Sequence, residues 1–251
     1  MKKILITSIG RTGTLSLTHY LDSLSQVRCI HEKDRQDVPF LFLSQVDKFS
    51  NITNQYLTKR DSQLSQLDCD YYIEVNPYFR FASDQQLSNL GWETVYLVRK
   101  SKTYLESVYT RKLFSDEDYV LNQMPNNDDP YSANWFSLSR FQKLCWYYSR
   151  AHQHILNSGK SYYRFEEIVK DEKALKELLS HMGLNVPAIS NFELPKLNSS
   201  FKNKIKRKLL AFVRGEKTKV ESLDWTKLTQ EDLKTYDELC VSLEKKMGYV
   251  L

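Results

Sequence analysis

Residues 2–20, KKILITSIGRTGTLSLTHY, leave few folds open to this chain. Ile4, Leu5 and Ile6 make a short apolar run of β type, Ser8 to Thr14 a polar, turn-rich loop, and Leu15 onward a helix. In that helix Leu17, Tyr20, Leu21 and Leu24 recur at the spacing of one buried face. A strand that feeds a tight loop into a helix start directs several backbone N–H groups at one spot. The helix dipole adds partial positive charge there, so the spot suits an anion. Gly10 and Gly13 allow the backbone angles of such a cradle, Thr12, Thr14 and Ser16 bring hydroxyls, and Arg11 brings a planar cation. The plain alternative is a βα turn capped by a hydroxyl. The spacing fails the Walker pattern GxxxxGK[ST], which disfavours an ordinary ATP or GTP site.

At 251 residues, 41% hydrophobic and 27% charged, the chain has the balance of a globular protein with one sizeable core. No apolar run is long enough to span a membrane. The opening MKKILITSIG reads as a first strand, and the expectation is a cytoplasmic protein. Cys29, Cys69, Cys145 and Cys240 are scattered without a CxxC pair, which predicts buried free thiols in a reducing compartment. His152 and His154 are two apart on one helix, so a histidine metal site is not expected. The charge is uneven. Residues 196–219 hold nine Lys or Arg against Glu216 alone, a local +8, while the rest of the chain sums to −3. Such concentration points to one anionic partner rather than to nucleic acid.

Further strands are expected at Val27–Ile30, Tyr71–Val75, Thr94–Val98 and Ser161–Phe165. Helices are expected over Asp37–Phe49, Ile52–Leu67 with Ile52, Tyr56 and Leu57 inward, Ser83 to Gly91, and Lys102–Lys112. Others follow over Phe136–Leu156, Glu172–Met182, Asn203–Val213 and Gln230–Met247, the last capped by Thr229 with Asp232. Residues 113–134 read as a mobile loop. Alternating strands and helices predict an α/β, three-layer sandwich with a parallel sheet, in one domain over residues 1–251. Ligands of such sheets sit at the carboxyl ends of the strands. Those ends collect Ser8–Thr14, His31–Arg35, Glu74–Pro77, Arg99–Ser101 and Arg164–Glu166.

The loop Ser8-Ile9-Gly10-Arg11-Thr12-Gly13-Thr14 resembles the 5′-phosphosulfate loop of sulfotransferases, where Lys or Arg precedes Ser/Thr-Gly-Thr. Val95 to Arg99, followed eight residues later by Ser107, is similar to that family's 3′-phosphate signature. The family usually carries Pro two residues after this Arg, and here Ser101 stands there. Tyr163 to Ile168 is similar to the fifth strand and its turn, and Leu223 to Leu228 with Met247-Gly248-Tyr249 to the tail of bacterial members. The resemblance implies a P-loop-like fold and 3′-phosphoadenosine 5′-phosphosulfate (PAPS) as co-substrate, without a metal.

By that resemblance Arg11, Thr12, Gly13, Thr14, Leu15 and Ser16 hold the 5′-phosphate, and Arg11 also neutralises charge on the leaving oxygen. Arg99 and Ser107 hold the 3′-phosphate, and Arg214-Gly215 matches the segment that closes over the donor. Glu32 or His31 takes the acceptor proton, with Glu32 preferred and Glu74 a third candidate that suits a structural pair with arginine. The basic segment 196–219 covers the donor, meets an acidic acceptor or docks on a membrane surface, or is a solvated amphipathic helix. The expected reaction is sulfo transfer from PAPS to a hydroxyl acceptor, a saccharide or small alcohol among others. The rivals are a nucleotide kinase or NTPase with a degenerate P-loop, and a non-catalytic nucleotide-binding protein on the same scaffold.

Overall fold

The computed structural model describes residues 1–34, 36–111, 113–116, 123–184 and 222–250. The labelled elements, in chain order, are β1 (Lys2–Ser8), α1 (Thr14–Asp22), β2 (Val27–His31), α2 (Asp37–Leu43), α3 (Ser50–Ser62), β3 (Tyr71–Val75), α4 (Asp84–Asn89) and β4 (Trp92–Val98). They continue with α5 (Ser101–Tyr109), α6 (Arg140–Asn157), β5 (Tyr162–Arg164), α7 (Phe165–Ile168) and α8 (Glu172–His181). The described residues group into two compact units, 1–99 with 151–184 and 100–150 with 222–250.

The first unit holds a five-stranded sheet in the order β2-β3-β1-β4-β5, with every pair parallel. Parallel neighbours require crossover helices, and these cover both faces of the sheet. β1 is therefore apolar on both sides, and Ile4, Leu5 and Ile6 are each 0% exposed. Ile4 and Ile6 join Ile73, Val75, Val95 and Leu97 against Leu17 and Leu21 of α1 and Leu175, Leu178 and Leu179 of α8. Leu5 faces the other way, packing with Phe40 of α2, Leu57 of α3, Phe79 and Leu87 of α4. The expected α/β architecture with a parallel sheet is present. Its register sets Ser8 of β1 beside Leu97 of β4, so these two strands end side by side.

Several boundaries differ from the expected ones for local reasons. Val46 is extended, which ends α2 and leaves only a 3₁₀ turn at Asp47–Phe49. On α3 the inward face is Thr53, Leu57 and Arg60, and Ile52 is 54% exposed. The stripe is centred on a buried arginine, which an apolar count alone passes over. α6 starts at Arg140 rather than Phe136, which is 84% exposed. The Ser139 hydroxyl accepts the Gln142 N–H at 3.1 Å, and the Gln142 side chain accepts the Ser139 N–H at 2.8 Å. That reciprocal cap fixes the helix start. The expected α6 stripe of Phe141, Leu144, Cys145, Tyr148, Ala151 and Ile155 is fully buried.

In the second unit α5 and the first part of α6 pack with the C-terminal helical stretch. Tyr104 meets Tyr148, Phe141 meets Trp225, and Trp225 meets Tyr236. The Ser101 N–H donates to buried Glu244, and the Ser101 and Tyr236 hydroxyls are 2.9 Å apart. Thr229 and Asp232 form the expected capping box on helix Gln230–Tyr236. The helix then widens into a π turn at Asp237–Val241 before Ser242–Lys246, which lets Cys240 and Leu243 both point inward. Asp129 ties the 126–132 turns to the helix by accepting the Trp146 indole N–H at 2.8 Å. Three of the cysteines are buried free thiols as expected, whereas Cys69 is partly exposed.

Candidate functional site

The β1–α1 loop is shaped by three left-handed residues in four: Gly10 at φ 86, Arg11 at φ 58 and Gly13 at φ 63. Ser8, at the strand end, organises the inside of the turn. Its Oγ accepts the Gly10 N–H at 3.0 Å and the Thr12 hydroxyl at 2.8 Å. Gly13 is the N-cap of α1, and its carbonyl accepts the first helical bond, from Leu17 N–H at 3.1 Å. Helix geometry directs the N–H groups before that bond along the axis toward the loop. With the dipole they form a cradle for an anion. Thr12, Thr14 and Ser16 are buried in it, with Leu15 half-buried between them.

Arg11 is the costly member, because a side chain in left-handed backbone carries about 1–2 kcal/mol of strain. Arg99, just past the end of β4, supplies an answer. Its Nη1 donates to the Arg11 carbonyl. Its guanidinium also lies 5.4 Å over the Phe165 ring, and its Nε is 3.9 Å from Glu166. Phe165 in turn rests on Gly13, where a Cβ would come within 2.0 Å of its ring. The ends of β1, β4 and β5 therefore meet through Arg99 and Phe165. Sequence reading places Phe165 at the end of the fifth strand, in the stretch Tyr163 to Ile168, but gives it no role; it instead opens α7, directly after β5.

β2 supplies the groups suited to proton transfer. His31 Nε2 is 2.9 Å from the Thr14 hydroxyl and 3.7 Å from Glu32 Oε1. Burial, with His19 nearby, holds the His31 pKa below its usual value, so the ring is neutral at pH 7. Glu32 lies at φ 44, and its N–H closes the sheet on the Val75 carbonyl at 3.1 Å. Burial and then Asp37 raise its pKa, while Arg11 opposes them. Glu32 is thus a more basic carboxylate than a free one, in the field of Arg11.

Glu74, the third acid considered, is 0% exposed and bound by Arg60 Nε at 2.9 Å. That pairing makes it structural. Ser107 lies half-buried on α5, in the second unit, where its carbonyl accepts the Thr110 hydroxyl at 2.9 Å. Arg214 and Gly215, with the basic segment 196–219 and the expected helix Asn203–Val213, lie outside the described residues. Among the described residues no three His, Cys, Asp or Glu side chains group to hold a metal ion, and no helix is long and apolar enough to cross a membrane.

No family model and no curated protein matches the chain. Solved structures do. The sulfotransferase STF9 from Mycobacterium avium superposes with a TM-score of 0.53 at 10% identity, over 100% of this chain and 78% of that one. The chain has a sulfotransferase fold. At that identity the likeness concerns the fold alone. A sulfotransferase domain from the curacin biosynthetic pathway reaches a TM-score of 0.48 at 14% identity, over 100% and 98% of the two chains. Mouse sulfotransferase SULT7A1, complexed with PAP, reaches 0.46 at 15% identity, over 97% and 85%. On this sulfotransferase fold the loop, Arg99 and Glu32 all stand at the carboxyl ends of parallel strands, where ligands of such sheets bind.

Proposed function

We propose that the protein is a PAPS-dependent sulfotransferase, acting as one functional domain over residues 1–251 on a hydroxyl acceptor. The observation that carries the reading is the bond from the Arg99 guanidinium to the Arg11 carbonyl, which joins the cationic ends of β1 and β4. A donor with anionic groups at both ends of one adenosine asks for two cationic strand ends close together. Arg11 and the loop from Thr12 to Ser16 take the 5′-phosphosulfate. Arg99, a planar guanidinium at the end of β4, takes the 3′-phosphate. Ser107 joins it, and Arg214-Gly215 covers the donor, on sequence grounds.

In the transfer, the acceptor oxygen bonds to sulfur as its proton passes to Glu32. The bond from sulfur to the bridging oxygen breaks, and its electron pair leaves on the 5′-phosphate of adenosine 3′,5′-bisphosphate. Arg11 and the α1 N-terminus stabilise the charge that builds there. Most of the acceleration in such a reaction comes from positioning and charge stabilisation. Glu32 is assigned the proton because its basicity is raised, while the His31 Nε2 is engaged with Thr14. His31 then serves the donor side, by orienting the Thr14 hydroxyl.

Glu32→Gln tests this assignment. Radiolabelled sulfo donor is offered with a panel of saccharides, small alcohols, phenols and tyrosyl peptides. The wild-type chain is expected to label at least one class, and Glu32→Gln to label it at least 100-fold more slowly. Stability should move the other way. A raised folded pKa means the charged form is disfavoured by folding, a penalty that appears as pH rises above about 4.5 and is complete above the folded pKa. At pH 7 the Gln variant should therefore be as stable as wild type or more so, by a few tenths of a kcal/mol for a half-exposed side chain. Equal labelling by wild type and Glu32→Gln contradicts the assignment. Labelling of nothing by a wild-type chain that binds the bisphosphate supports the non-catalytic reading instead.

A further inference from the structure

Behind the candidate base lies a buried charge cluster that the transfer step leaves unused. Arg60 of α3 forms a two-pronged pair with Asp37, at 2.9 and 3.0 Å, and pairs with Glu74 through Nε at 2.9 Å and through Nη2. The side chains of Arg60 and its two acids are 6%, 0% and 0% exposed. Asn76 Nδ2 bridges the acids, at 2.7 Å from Asp37 and 2.8 Å from Glu74, and the Tyr56 hydroxyl donates to Asp37 at 2.7 Å. Backbone bonds carry the cluster to the site. The Asn76 N–H donates to the Ile6 carbonyl and the Thr7 hydroxyl to the Asn76 carbonyl, while Asp37 accepts the Asp34 N–H at 3.3 Å.

Two buried carboxylates share Arg60, and one of them, Asp37, opens the helix that follows Glu32. We propose that Asp37 is a positioning residue for Glu32: its carboxylate, clamped by Arg60, Tyr56 and Asn76, anchors the turn that follows Glu32 and repels the ionised Glu32 carboxyl. This rests on the reading of Glu32 as the base. Among the described residues, the charged or titratable groups facing Glu32 are Arg11 from the β1–α1 loop, His31 from β2 and Asp37 from α2. Those facing Asp37 are Arg60 and Tyr56 from α3, with Glu74 of β3 reached through Arg60. A charge that repels the ionised form makes Glu32 a stronger base, and a fixed turn keeps it aimed at the donor loop.

The test needs no acceptor. NMR titration of side-chain carboxyl carbons, with the Glu32 signal assigned by its loss in Glu32→Gln, reads the base directly. In Asp37→Asn the Glu32 midpoint is expected to fall by about half a pH unit or more. An unmoved midpoint overturns the proposal. Tyr56→Phe removes one donor to Asp37 and leaves every charge in place, which keeps the test open if Asp37→Asn does not fold. It should speed hydrogen exchange of the Glu32 N–H several-fold while the Ile4 and Ile6 amides of β1 exchange as before. Unchanged exchange at Glu32 also overturns it. The two readings fail separately: full labelling activity in Glu32→Gln defeats the base, whereas an inactive Glu32→Gln beside an unmoved midpoint defeats only the role of Asp37.

Discussion

Gly13→Ala is expected to lower stability by about 2–4 kcal/mol and to abolish binding of adenosine 3′,5′-bisphosphate. Two independent effects add. The added Cβ would lie 2.0 Å from Phe165 Cε2 and 2.7 Å from Cζ, an overlap that no rotamer of alanine relieves. The residue would also sit at φ 63, where a side chain is strained whatever space surrounds it. Relief by backbone movement would open the loop that Ser8 and Arg99 hold. The steric part is separable by a double-mutant cycle with Phe165→Leu. Denaturant unfolding of both single variants and the double should give a coupling of about 1–3 kcal/mol, the two changes together costing less than their sum. Additive losses would show that Phe165 does not limit this position.

Arg60→Met is expected to cost about 3–5 kcal/mol, because it leaves Asp37 and Glu74 buried without a countercharge. The magnitude follows from what remains, not from what is lost. A buried pair replaced whole by apolar groups is often neutral, but half of one is not. Adding Glu74→Gln to Arg60→Met should therefore recover part of the loss, since it removes one of the two stranded charges. Urea unfolding of the single and double variants checks this. A loss below 1 kcal/mol in Arg60→Met would mean that water or local rearrangement already serves these acids.

The legibility of this chain follows how locally each feature is determined. Ile4 to Ile6 and Thr94 to Val98 declare buried parallel strands because both faces must be apolar, and a run of such residues needs no partner to be recognised. The β1–α1 loop is equally readable, since Gly10, Gly13 and the hydroxyls between and after them are a local solution to a local demand. The acids were harder. Glu32 and His31 stand adjacent, and where the resemblance alone prefers Glu32, their surroundings differ physically: the Thr14 hydroxyl lies beside His31, and Asp37 raises the pKa of Glu32. Arg60 was invisible on α3, where a charged residue at an inward position looks like solvent-facing surface until its two acids arrive from α2 and β3. The role of Phe165 against Gly13 depends on a contact between the two ends of the first unit's sequence, which periodicity cannot report. The π turn at Asp237–Val241 interrupts a pattern that reads as one unbroken helix.

The most direct measurement is ligand-dependent thermal unfolding. Adenosine 3′,5′-bisphosphate at 100 times its dissociation constant should stabilise the chain by about 2.7 kcal/mol, and ATP with magnesium at the same concentration far less. In Arg99→Ala the bisphosphate effect should vanish while the unliganded chain still unfolds cooperatively. Preferential stabilisation by ATP with magnesium, or a bisphosphate effect that survives in both Arg99→Ala and Arg11→Ala, would contradict a donor site built from the ends of β1 and β4.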